Sequence, residues 1–384
     1  MPSLGHHAVD LRRVEADIAE LEKTAFLEPL QHAEVARYLY RLYARSALNG
    51  DLKELRPLER LINRAIECLG PREDICLLKA NLDFKLHRLA ETKRDLSLVP
   101  ALKDRREGRV ILADVAFQEG RYQAARVALE ALTEEDQTWD VLARLAHLEA
   151  KMGDAALADE LYTRAEDDIT AKEMRAFAWV QLQRGLLDLS RGRLDDALAH
   201  YDVADRAYTG YWVTEEHVGD ALESPSHYER VLEQVDKPEL AQKLGGLYAK
   251  AGNESRAQQL FTRALSGYLD SAERGEVHYY HHLTEYFADV AHDGEEAVKW
   301  ARKDIELRDN FNTQTALAWA LHCSGQSAAS VPYIERAIES GVKDAAIFSK
   351  AAIILEAAGL RSKAHEYEHR AAHLNPLRLH VHAH

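Results

Sequence analysis

The sequence predicts an all-α fold: an α–α superhelix, a solenoid of about nine to ten helical hairpins with one of them shortened. Three observations carry this. Alanine, leucine, glutamate and arginine dominate the 384 residues, and these side chains lose little on entering a helix, while glycine and proline number only 19 and 9. A phrase recurs in which a glycine is followed, a few residues on, by an alanine, an aromatic or aliphatic side chain and another alanine. The glycines of that phrase keep a period: Gly120 and Gly153 are 33 residues apart, Gly325 and Gly359 are 34 apart. A repeat of this length is one pair of helices with its turns.

In chain order, residues 1–30 read as an N-terminal capping helix, running from Val9 to about Phe26 and covering the open face of the first repeat. Helical repeats fill 31–236 and end in the shortened hairpin; further repeats fill 237–376, and 377–384 form a His-rich tail. Within each repeat the glycine ends the first helix, because it takes the left-handed conformation at no steric cost. The phrases are EGRYQAARVALEAL from Glu119, MGDAALADELYTRA from Met152, RGRLDDALAHYDVA from Arg191, AGNESRAQQLFTRA from Ala251, SGQSAASVPYIERA from Ser324 and AGLRSKAHEYEHRA from Ala358. Two intervals break the period. Gly153 to Gly192 is 39 residues, which places an extra turn or a longer loop near Asp167–Lys172. Gly192 to Gly252 is 60, and the excess reads as a short hairpin: a helix to about Glu223, a turn at Ser224-Pro225-Ser226 and a helix to about Val235, capped by Ser226.

The segment AQKLGGLYAKAGNESRAQQLFTRAL sets Leu244, Gly245 and Tyr248 on a first helix and Ala257, Phe261 and Ala264 on a second. This pattern resembles the tetratricopeptide repeat (TPR) family, and Pro376 takes the family's closing position. The resemblance covers residues 36–376. It implies packing rather than catalysis, with the first helix of each hairpin lining a concave face that holds a protein or peptide partner.

The formal net charge of −15 opposes general binding to nucleic acid and to anionic membranes. No run approaches a membrane span, and the amino terminus lacks the apolar segment of a signal peptide, so a cytoplasmic location is expected. Cys68, Cys76 and Cys323 have no disulfide or zinc spacing and read as reduced thiols. No phosphate loop, nucleophile elbow or kinase signature is present, so no catalytic residue is assigned and the chain reads as a non-enzyme. The oligomeric state is open.

The resemblance directs Thr315, Trp319 and His322 into the groove from one repeat and His147 from another. The stripe Trp179, Leu182, Leu186, Leu189 has a groove-side register, which leaves Gln181, Arg184 and Asp188 at core-type positions; either the helix is rotated or the short hairpin covers the stripe. The stretch HYYHHLTEYF adds Tyr279, His282 and Tyr286 to the groove. There Leu283, Tyr286, Phe287 and Val290 make one apolar stripe, and His278, His281, His282 and Glu285 make another that points away from it. Counting from Ala297 gives a second register, with His281 and Glu285 at packing positions. His278 and His282 are four apart, the spacing of a helical metal-ligand pair, and Glu285 adds an oxygen, so a divalent transition metal is an alternative ligand. In the groove, His147, His282 and His322 would make binding pH-sensitive near 6.5.

Overall fold

The computed structural model describes residues 5–377; the histidines of the tail, His380, His382 and His384, lie outside the described residues. Among the described residues there are 21 α-helices and no strand. The chain is an α–α superhelix. The capping helix α1 (His6–Leu21) ends five residues before Phe26 and packs on α2 (His32–Asn49). Helices α2 and α3 (Leu55–Leu69) then begin the run of hairpins. These continue as α4 (Glu73–Lys85) with α5 (Leu89–Ser97), α6 (Arg106–Gln118) with α7 (Tyr122–Glu135), and α8 (Trp139–Met152) with α9 (Ala155–Asp168). Next is α10 (Met174–Leu189) with α11 (Leu194–Ala207), where the longer interval is taken up by the 169–173 loop and by a first helix longer than α8.

The shortened hairpin is α12 (Trp212–Leu222) with α13 (Pro225–Leu232). Its second helix starts at Pro225, so Ser224 rather than Ser226 holds the cap position, without a side-chain cap bond. The remaining pairs are α14 (Pro238–Lys250) with α15 (Glu254–Glu273), α16 (Tyr280–Glu285) with α17 (Gly294–Leu307), α18 (Phe311–Cys323) with α19 (Ser327–Glu339), and α20 (Ala345–Ala357) with α21 (Arg361–Leu374).

The small residues of the repeat have a physical reason. A Cβ on Gly245 would stand 2.7 Å from the ring of Phe261, so the glycine of the first helix makes room for the aromatic of the second. Gly245→Val is therefore expected to cost about 1–3 kcal/mol through overpacking. Urea denaturation would show it, and Phe261→Ala in the same chain should recover part of the loss if the two sites are coupled.

The superhelix closes on itself. Asn310, before α18, donates from Nδ2 to the carbonyl of Gln118 at 2.8 Å, and the two residues are 192 apart in sequence. The backbone N–H of Lys343 donates to the carbonyl of Lys151 at 2.8 Å, across the same separation. The second helical turn thus rests on the first, six hairpins later, with the starts of its first helices on the ends of theirs. Trp212 Nε1 donates to the Leu48 carbonyl at 2.8 Å, and the Tyr122 hydroxyl accepts from the Phe311 N–H at 2.9 Å.

Turn glycines serve this seam as well as their helices. Gly50 (φ 67°) would drive a Cβ to 2.7 Å from the Trp212 ring, and Gly120 (φ 73°) to 2.5 Å from the Asp309 carbonyl. The corresponding Gly252, Gly325 and Gly359 of the second turn meet nothing within 4 Å.

Candidate functional site

Closure of the superhelix leaves a chamber of about 890 Å³ that opens to solvent, within the range of small-ligand sites. Helices α4, α6, α8, α10 and α12 supply most of its wall, and Lys237, Lys343–Ala346 and Asn375 reach it from the second turn.

One side of the chamber is apolar. Phe117, Trp139, Trp179, Leu182 and Leu186 line it, with the two indoles edge to face at 6.4 Å. Three residues of the stripe on α10, Trp179, Leu182 and Leu186, line the chamber, while Leu189 is buried in the core between helices. The polar residues beside the stripe are buried between helices and satisfied there. Arg184 pairs with Asp159 at 2.9 Å and with Glu166 at 2.8 Å, Asp188 pairs with Arg193, and the Gln181 carbonyl oxygen meets His200 Nδ1 at 2.7 Å.

The charged lining groups are mostly cationic. Lys85, Arg144, Lys151, Arg175, Lys237 and Lys343 face three carboxylates, Asp114, Glu216 and Asp344. The balance inside is positive on a chain whose net charge is −15. All three carboxylates are engaged: Asp114 by Arg144 at 2.9 Å, Glu216 by Lys243 at 3.1 Å and Asp344 by Lys151 at 3.7 Å.

His147 lines the chamber, its ring edge-on to Phe117 at 5.6 Å. Burial, helped by the Lys151 cation, pushes it down to about 4, so it is a neutral ring at physiological pH and supplies no switch near 6.5. Burial also lowers His322. The other residues assigned to the groove do not line the chamber. Thr315 is buried, its hydroxyl donating to the Phe311 carbonyl at 2.7 Å. Trp319 donates to Asp289 at 2.7 Å and stacks on His322, with Lys350 Nζ 5.5 Å from its ring. Tyr286 is buried against Phe261. Tyr279 is buried between Tyr268 and His278, and with His278 it lines a smaller cleft of about 230 Å³ at the seam.

The histidine stripe does not point away from the core. His278 is 6% exposed, and burial lowers it to about 4. The His282 ring packs 5.6 Å from both Tyr268 and Tyr279. His281 stands between Glu285 at 3.5 Å and Asp304 of α17 at 3.3 Å. Leu283 and Tyr286 of the apolar stripe are buried, while His281 and Glu285 lie at the edge of the contact with α17, half-buried and paired there. Both groups keep part of their surface in solvent, and neither lacks an opposite charge. After Glu285 the helix widens into a π-helical turn, Tyr286–Val290, which leaves Phe287 and Val290 only half-buried. Among the described residues no group of three or more His, Cys, Asp or Glu side chains converges as a metal cage, at 278–285 or elsewhere.

Residues 106–211 match the helical-repeat family described as the TT21 fifth ARM repeats domain. The match runs from α6 to the start of the shortened hairpin, through most of the chamber wall. It is a helical-repeat family related to, but distinct from, the tetratricopeptide family that the motifs resemble. No curated protein matches the chain. Among the described residues no helix is long and apolar enough to cross a membrane.

Proposed function

We propose that the protein is a non-enzymatic, TPR-like scaffold that holds a short segment of a partner protein inside the superhelix. The observation that carries this is the aromatic and aliphatic wall of the chamber, formed by Phe117, Trp139, Trp179 and Leu186 on successive first helices. Large apolar side chains set beside a few directed polar groups are the composition of binding sites. The similarity to an ARM repeat domain supports the same reading, because helical-repeat families generally bind proteins. The working surface is the chamber, with Trp179 and Trp139 as anchors. Trp319, already bonded to Asp289, stands outside it.

A photo-crosslinking side chain placed at Trp179 tests this in the cells that make the protein. Discrete adducts with one or a few proteins are expected from position 179 and none from Val127, which is 53% exposed on α7. Ala176→Trp, which fills the chamber from α10, should abolish them, and Trp319→Ala should not. Equal crosslinking from 179 and 127, or adducts that survive Ala176→Trp in a folded chain, would refute the reading.

A further inference from the structure

We propose that the corner of the chamber formed by Lys85, Arg175 and Lys237 is a binding site for an anionic group, a carboxylate or phosphate carried on an apolar body. This goes beyond the scaffold reading, since it requires the cations of the chamber and not a protein partner. The three residues lie far apart in sequence. Lys85 ends α4, Arg175 opens α10, and Lys237 immediately precedes α14 in the second turn, so only closure of the superhelix brings them together.

Two of the three cations lie over aromatic rings, and among the described residues only Lys237 has an acidic partner. Lys85 Nζ lies 5.7 Å from the centroid of Tyr43, and Lys237 Nζ lies 4.9 Å from that of Trp212. Lys237 also pairs with Glu239 at 2.9 Å. Among the described residues no carboxylate stands within ion-pair distance of Lys85 or Arg175. Burial, with the cations of Lys237 and Arg175 facing it, lowers the Lys85 amine to about 8. Like charges held together in a half-buried site repel, and a folded chain removes such a cost by pairing them. Every carboxylate in this chamber is already committed to another cation.

The backbone strengthens the field at Lys237, because the positive end of the α14 dipole lies beside it. The apolar body has its place a short way along the same wall, on Tyr211, Trp212, Trp179 and Leu186. A positive, partly desolvated pocket in an otherwise acidic protein also selects anions from solution, since a cleft of one sign concentrates the field.

The test uses the full chain and two probe families in isothermal titration. One is dodecanoate, below its micelle concentration, against dodecanol. The other is a hexapeptide of leucine and phenylalanine ending in two glutamates, against its glutamine analogue. At least one anionic probe is expected to bind tenfold or more tightly than its neutral partner, to weaken with added salt, and to lose that preference in the Lys85→Gln/Arg175→Gln double variant. The amphiphile arm identifies a small acid as the source of the anion, and the peptide arm an acidic protein segment. The double variant should melt no lower than the wild type, because it removes repulsion and no ion pair. The proposal is overturned by equal affinity for charged and neutral probes, by a preference that persists in the double variant, by no binding in either family, or by a double variant that melts lower. Failure of the peptide arm alone counts against the scaffold reading and leaves the anion site standing.

Discussion

Asp304→Asn is expected to lower stability by about 3–5 kcal/mol, the cost of removing one partner from a buried ion pair. Asp304 is 1% exposed and holds two cations: Arg308 through Nε at 3.0 Å and His281 at 3.3 Å. Burial alone would raise its pKa, but Arg308 and His281 hold the carboxyl well below the usual range. His281 shows the reciprocal effect. Burial opposes its charge, yet Glu285 and Asp304 raise it to about 9. Glu285 is likewise held well below its ordinary value, by His281 first among its neighbours.

The signs give the pH dependence. The part of the stability due to His281 is complete below its unfolded pKa near 6.5 and is lost as pH rises through about 9. The part due to Asp304 and Glu285 is present above the ordinary carboxylate range and is lost as pH falls toward their depressed values. NMR titration of the His281 ring should give a midpoint near 9 in the wild type and a clearly lower one in Asp304→Asn. The stability gap between the two chains should narrow above pH 9, where His281 is neutral in both. An unchanged His281 midpoint in the variant would show that Asp304 does not hold this proton.

This network also shows what local sequence can and cannot reveal. The hairpins were legible because a repeat of 33–34 residues, with small residues at the contact between paired helices, is a nearest-neighbour pattern, and Gly245 against Phe261 is such a contact. The short hairpin was legible as an interval that no ordinary repeat fills. At 278–290 two registers competed, and the apolar stripe pointed to one of them. The stripe did not reveal that Asp304, some twenty residues on, pairs with His281, which in turn pairs with Glu285. The stripe on α10 was visible, but its purpose required the chamber. The cationic corner had no local signal at all: Lys85, Arg175 and Lys237 are unremarkable surface-type residues until a second superhelical turn brings them to one opening. One hint was present. Gly50 and Gly120 look like ordinary turn glycines, yet the same positions also admit Trp212 and the Asp309 carbonyl.

Trp212→Ala carries the second large expectation, about 3–5 kcal/mol for truncating a buried tryptophan. The residue is 6% exposed; it bonds to the Leu48 carbonyl, lies against Gly50 and holds Lys237 over its ring. A solenoid stabilised only by adjacent repeats would confine the damage to α11–α14. Here the lost contact joins segments 164 residues apart. Hydrogen exchange should therefore quicken in two places at once, around α12 and in residues 5–60, while α18–α21 keep their protection. Gly50→Ala should give the same two-place pattern from the other side of the contact, because its Cβ would strike the Trp212 ring and its φ is left-handed. If exchange quickened only around α12, the turns would lie together without supporting one another. If both segments loosen, the seam is part of what holds the superhelix closed, and the cations gathered there depend on it.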